Sequence, residues 1–205
     1  MSGHGQASVS MQRVSSEAAI PAVTALAAGA VLFILASGPV RAADGLSIEL
    51  GQSTSSFTDV QVVRLGARRN WTAQPIPTGR WQLGGHWDLS AGLWHNQSDP
   101  RIRMSNEVVE LSLTPTLRWQ SGVPGAVMPF IDAGLGVHLV SDDTITTLRD
   151  LSGHVLFGSV LGAGIRVGAR GEYEIGYRVQ HLSNGGIRQP NNGINLQSIR
   201  LHYHF

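Results

Sequence analysis

The sequence predicts an all-β chain folded as an eight-stranded antiparallel transmembrane β-barrel. Three observations carry this: a period-two alternation of apolar and polar residues in successive stretches, an apolar leader ahead of them, and a final stretch that ends on Phe205. In residues 196–205, Ile199, Leu201, Tyr203 and Phe205 fall on one side, and Ser198, Arg200, His202 and His204 on the other. Apolar residues facing hydrocarbon and polar residues facing an interior are what a membrane barrel requires. A soluble barrel or sandwich produces the same alternation. The leader and the terminal Phe favour the bacterial outer membrane.

Composition agrees, with 42% apolar and 14% charged residues, against roughly 25% charged in a typical soluble domain. The chain has no Cys, so it has no disulfide or thiol chemistry. It also has no Lys, and a net charge of +1 with scattered Arg gives no footprint for nucleic acid. Loop Arg residues can still meet anionic lipid headgroups. Arg13 precedes the apolar run Ala18–Ala36, and small residues surround Val40-Arg41-Ala42-Ala43. Residues 1–42 therefore read as a signal peptide cleaved after Ala42, with Met11 as an alternative start, and residues 43–205 as one barrel domain.

Eight extended stretches are expected at 44–52, 59–70, 80–95, 106–121, 128–140, 152–169, 172–181 and 196–205. In the third, Trp81, Leu83, Trp87, Leu89, Ala91 and Leu93 oppose Gln82, His86, Asp88 and Ser90. The fourth sets Val109, Leu111, Leu113, Leu117 and Trp119 against Glu110, Ser112, Thr114, Thr116, Arg118 and Gln120. In the fifth, Ile131, Ala133, Leu135, Val137 and Leu139 oppose Asp132, Gly134, Gly136 and His138. The sixth places Val155, Phe157, Leu161, Ala163, Ile165 and Val167 opposite Gly158, Gly162, Gly164 and Arg166, where glycine leaves room for large lumen side chains. Turn-rich segments at 75–79, 122–125 and 170–171 suit the periplasmic side, and longer ones at 96–105, 141–151 and 182–195 suit extracellular loops.

The seventh stretch carries the chemistry. Tyr173, Ile175, Tyr177, Val179 and His181 share the outward parity, and Glu174, Gly176, Arg178 and Gln180 point inward. An ionisable His on the lipid face invites a functional explanation. Ser183, two positions on, shares that face if the strand continues. A His nitrogen that accepts the Ser proton forms the base–nucleophile pair of acyl transfer. Asn184, Gly185 and Gly186 offer an amide or backbone N–H groups to an oxyanion. Taken alone, these residues serve either an acyl-transfer site or a hydrogen-bonded turn.

The run from His181 to Asn195, HLSNGGIRQPNNGIN, together with Pro129–Val137, resembles the PagL family of outer-membrane lipid A 3-O-deacylases. The resemblance implies an eight-stranded barrel whose lipid-facing serine hydrolase site removes the ester-linked acyl chain at position 3 of lipid A. It makes Ser183 the nucleophile, His181 its base, and Asn184 and Gly186 the oxyanion candidates. One position departs from the family pattern, Asn195 standing where an acidic residue is expected. Its amide oxygen can still accept a ring N–H bond, whereas Glu174 has the wrong parity to replace it.

The implied partner is lipid A or lipopolysaccharide in the outer leaflet, with no cofactor and no metal, and a homo-oligomer of barrels is compatible with the pattern. His86, Asp88, Asp132 and His138 lack compact metal-ligand spacing, and the Trp residues read as packing or interfacial anchors. The rival reading is a non-enzymatic structural or adhesive barrel. A porin is disfavoured because eight strands leave an interior filled by side chains.

Overall fold

The computed structural model describes residues 43–205 apart from 56–57, 72–74, 124 and 126. The leader expected at 1–42 lies outside the described residues. The strands are β1 (Gly45–Ser53), β2 (Val60–Asn70), the short β3 (Ile76–Thr78), β4 (Trp81–Asn96), β5 (Glu107–Ser121), β6 (Val127–Val140), the short β7 (Thr144–Thr146) and β8 (Arg149–Asp150), β9 (Val155–Val167), β10 (Tyr173–Ser183) and β11 (Ile194–His204). Eight of them form an antiparallel ring in the order β2, β1, β11, β10, β9, β6, β5, β4, which closes through β2 against β4. Closure gives each ring strand two partners, so its backbone polar groups are satisfied without water.

Alternation places the side chains as the sequence predicts. Leu50, Leu89, Leu113, Leu135, Leu161 and Leu201 are among the exposed outward residues. Polar side chains fill the lumen, where five Arg (64, 68, 118, 178, 200) meet five carboxylates (Glu49, Asp88, Glu110, Asp132, Glu174). These form one continuous chain. Glu110 bonds Arg64 at 2.8 Å, Arg64 bonds Glu49 at 2.6 Å, and Arg200 joins Glu49 at 3.4 Å to Asp88 at 2.6 Å. Arg68 then links Asp88 at 3.4 Å to Glu174 at 3.0 Å, and Arg118 links Glu174 at 2.6 Å to Asp132 at 2.7 Å. Strand β9 supplies space instead: a Cβ on Gly158 would lie 2.4 Å from His138 Nε2.

Above this network the inward residues become apolar. Val60, Val62, Trp94, Leu156, Leu182, Ile194 and Leu196 pack with Ile145 and Leu151 from the β7–β8 segment, which caps the barrel. The loop expected at 141–151 is thus partly a short hairpin. The apolar plug also explains two shifted boundaries. Burial of Leu182 and Ile194 carries β10 on to Ser183 and starts β11 two residues before the predicted limit. An apolar-out, polar-in criterion is blind where both faces are apolar.

The outer surface is banded. A row of outward polar residues runs in register from Gln197 to Gln52, Gln61, His95 and Glu107. At the opposite end, which holds the chain ends of the ring, Trp81 stacks on Trp119 at 4.5 Å and Tyr173 lies tilted against Tyr203 at 5.5 Å. Aromatic girdles of this kind mark a membrane–water boundary.

Glu174 is the carboxylate shared by Arg68 and Arg118, and removing one partner of a buried ion network leaves uncompensated charge. Glu174→Ala is expected to lower barrel stability by about 3–5 kcal/mol. Urea unfolding of the protein in lipid vesicles checks this, and a change below ~1 kcal/mol would remove the network's structural role.

Candidate active site

His181 lies near the outer end of β10 and faces away from the lumen. The preceding outward residue, Val179, pairs with Gln197 of the polar row, so His181 stands one outward position beyond that row. Its direct neighbour on β11 is Asn195. Directly opposed residues have Cβ atoms about 4.5–5.5 Å apart, close enough for the side chains to join. His181 Nδ1 and Asn195 Oδ1 are 2.6 Å apart. The Asn195 backbone is tied as well, its carbonyl accepting the Thr54 N–H at 3.0 Å.

With its Nδ1–H donating to Asn195, the ring leaves Nε2 as an acceptor. Ser183, half-buried on the same face of β10, is a nearby hydroxyl with the matching parity. The Gly185 N–H donates to Ser183 Oγ at 3.5 Å. Gly185 and Gly186 have φ of +67° and +81°, so the chain turns sharply just after Ser183.

Asn184 behaves differently from the sequence expectation. Its side chain is 2% exposed, and its Nδ2 donates to the carbonyls of Leu151 at 2.9 Å and Arg188 at 3.0 Å. Its Oδ1 accepts the Gly186 N–H at 2.8 Å. The Asn184 side chain and the Gly186 N–H thus both take part in holding the turn. The physical reason is parity, since position 184 continues the inward series of Gln180 and Leu182.

A hollow of about 520 Å³ extends from His181 and Ser183 across neighbouring strands. Phe157, Leu135, Leu113 and Trp87 line it, and all are outward apolar residues. An adjoining hollow of about 780 Å³ reaches Asn195 and Leu161. His181, Ser183 and Asn195 therefore sit at the head of an apolar, lipid-facing groove.

Sequence reasoning passed over Ser159. It pairs with His181 from β9 and is exposed between Phe157 and Leu161. The signal was available, as Ser159 is a polar residue at an outward parity position. Arg149 was also missed, because it lies in the β8 segment rather than in the His181–Asn195 run. Burial draws the Arg149 pKa below its ordinary value.

The other candidates do not gather. His86 lies 3.3 Å from Asp88, while Asp132 pairs with Arg118 and His138 with Glu110. Among the described residues no His, Cys, Asp or Glu cluster has metal-binding geometry. Glu174 points inward, as its parity predicts, and bonds Arg68 and Arg118.

The Nδ1 contact generates a spectroscopic expectation. Asn195→Ala removes the ring partner, so the His181 imidazole should shift from one dominant Nδ1–H tautomer to a mixture. Ring nitrogen chemical shifts in ¹⁵N-histidine-labelled protein report this, and an unchanged spectrum would sink the orienting role.

Comparison with known proteins gives a consistent set of likenesses. The family model described as lipid A 3-O-deacylase (PagL) matches residues 61–204. The lipid A deacylase PagL of Pseudomonas aeruginosa is 28% identical over 170 residues, spanning 83% of this chain and 92% of its own length. The lipid A deacylase PagL of Bordetella bronchiseptica is 28% identical over 131 residues, spanning 60% of this chain and 68% of its own. The crystal structure of the outer membrane enzyme PagL superimposes with a TM-score of 0.67 at 26% identity, covering 78% of this chain and 99% of that one.

Proposed function

This chain belongs to the lipid A 3-O-deacylase (PagL) family, and from that premise we propose that it hydrolyses the ester-linked acyl chain at position 3 of lipid A, with Ser183 as nucleophile and His181 as base. The protein is an eight-stranded barrel of the bacterial outer membrane. The observation that carries the proposal is the outward pairing of His181 with Asn195 at 2.6 Å, on the same face as Ser183 and at the head of an apolar groove. A lipid ester in the outer leaflet reaches this face by lateral diffusion, with its acyl chain against Phe157 and Leu135 and its sugar toward the loops.

In the first step Ser183 Oγ attacks the ester carbonyl carbon while His181 Nε2 takes its proton. Electron density moves onto the carbonyl oxygen, and Asn195 Oδ1 keeps the ring oriented by accepting from Nδ1–H. We assign the Gly185 N–H, which faces Ser183, as an oxyanion donor, with Asn184 and Gly186 holding the turn that presents it. Collapse breaks the ester C–O bond, and His181 returns the proton to the departing sugar hydroxyl. A water then gives its proton to His181 and attacks the acyl-serine, and the tetrahedral intermediate expels Ser183, which recovers the proton as the fatty acid leaves. The scheme uses no metal and no cofactor.

Purified protein mixed with lipid A should remove one acyl chain, read by mass spectrometry. Ser183→Ala and His181→Ala should assemble as barrels, because outward substitutions leave strand pairing intact, yet lose turnover by at least roughly a thousandfold. Undiminished turnover in Ser183→Ala would falsify the serine mechanism. A wild-type protein that leaves lipid A intact would favour the structural or adhesive reading.

Asn195 carries a further expectation. A carboxamide has one face that accepts and one that donates, and a reversed amide would donate to Nδ1, moving the ring proton to Nε2 where it cannot take the Ser183 proton. Asn195→Asp can only accept and also stabilises imidazolium, so turnover should be retained or increased. A defined lipid ester and equal folded amounts of each variant measure this. A large loss in Asn195→Asp would show that charge is not tolerated there.

A further inference from the structure

Arg149 lies in the outer segment between β6 and β9, and its guanidinium bridges three stretches of chain. Nε donates to Thr58 Oγ1 at 2.7 Å and Nη2 to Ser55 Oγ at 2.5 Å, both in the connection from β1 to β2. Nη1 donates to the carbonyl of Asn192 at 3.1 Å and to that of Gly193. Among the described residues its bonds run to hydroxyls and carbonyls rather than to a carboxylate. Such an arrangement fixes the course of a backbone instead of neutralising a charge.

Gly193 is the point where that backbone meets the site. It is buried, with φ of +53°, and a Cβ placed on it would stand 2.9 Å from His181 Cε1 and 3.3 Å from Nε2. The ring is thus held on two sides. Asn195 engages Nδ1, and the Gly193 backbone passes close enough to the Cε1–Nε2 edge that a single added Cβ would meet the ring. A histidine on the outer face of a strand otherwise has several staggered rotamers open to it.

We propose that Arg149 is a positioning residue for the acyl-transfer site, pinning the Asn192 and Gly193 carbonyls so that the glycine backbone confines the His181 imidazole with Nε2 toward Ser183. The inference rests on the assignment of His181 as base. Arginine suits the task because its planar fork presents several donors in fixed directions, whereas a lysine ammonium is a single point. Glycine suits position 193 because a side chain there would occupy the space of the ring edge.

The test uses full-length protein expressed into outer membranes, purified, and scored for folding by heat-modifiable gel mobility. Turnover of lipid A gives kcat and KM, and ¹⁵N-histidine spectra report the His181 ring, assigned by its loss in His181→Ala. Arg149→Ala should lower kcat about tenfold to a hundredfold, the scale of a displaced catalytic group, with KM within about twofold of wild type. Its His181 ring signals should broaden or split. Arg149→Lys should fall between the two. Gly193→Ala, which keeps the arginine, should lower kcat and disturb the same ring signals, and with Arg149→Lys it carries the test if Arg149→Ala fails to assemble.

Three outcomes overturn the proposal. They are an unchanged kcat in folded Arg149→Ala, a lost kcat with wild-type His181 ring signals, and a raised KM at constant kcat, which would make Arg149 a lipid-binding cation. Ser183→Ala separates the two levels. If it keeps turnover the serine reading fails, while the ring spectra still decide whether Arg149 fixes His181.

Discussion

Glu174 and His181 lie on one strand at positions of opposite parity, and that relation ties the inside of the barrel to its outside. Glu174 is buried between Arg68 and Arg118, and His181 projects from the other face toward Asn195. Successive side chains of a strand point to opposite faces, so a slip of one residue exchanges the two sets. Such a slip of β10 would carry Glu174 into hydrocarbon and bring His181 and Ser183 into the lumen. The ionic chain through the lumen accepts only one register, because its arginines and carboxylates meet from seven different strands. The charges that never touch a substrate therefore decide which residues can.

The filled lumen also dictates where chemistry can occur. An eight-stranded ring has little interior to spare, and here that interior holds a charge network capped by an apolar plug around Trp94, Leu156 and Leu182. No lipid passes through it. A reactive group must then stand on the outer face, where an unpartnered polar side chain is costly. His181 meets that requirement by pairing across strands with Asn195, and by sitting just beyond the polar row at Gln197 rather than deep in the apolar band.

Much of this was legible in the sequence, because period two is a direct readout of facing. The alternation of Trp81–Leu93, of Val109–Gln120 and of the terminal strand gave the ring, and the parity of Glu174 correctly removed it from the reactive side. The resemblance around His181–Asn195 pointed to the family. Legibility failed where the pattern changed meaning. Leu182, Ile194 and Leu196 are apolar yet inward, so alternation alone stops short of the true ends of β10 and β11 and leaves Asn195 in a loop instead of directly opposite His181. The parity of Asn184 aims its side chain into the loop packing, where it bonds the Leu151 and Arg188 carbonyls. Ser159 was legible from its outward parity alone, whereas Arg149 was not, because its partners Ser55, Thr58, Asn192 and Gly193 lie far away in sequence, where no local window reaches.

Strands and loops thus divide the task of building the site. Strand register fixes where the Cα atoms of His181, Asn195 and Ser183 stand, and does so firmly because each sits in a paired ladder or at its end. Register says nothing about where an imidazole points once it leaves its Cβ. That last degree of freedom falls to the segment 184–193, which has no ladder of its own and is strapped to the neighbouring outer segment through Asn184 to Leu151, Arg149 to Asn192 and Gly193, and Ser152 to Pro190. Loops of this kind open more readily than barrel strands. The barrel consequently fixes the height of the candidate site, and the outer segments are the part of the fold left to set how its side chains lie.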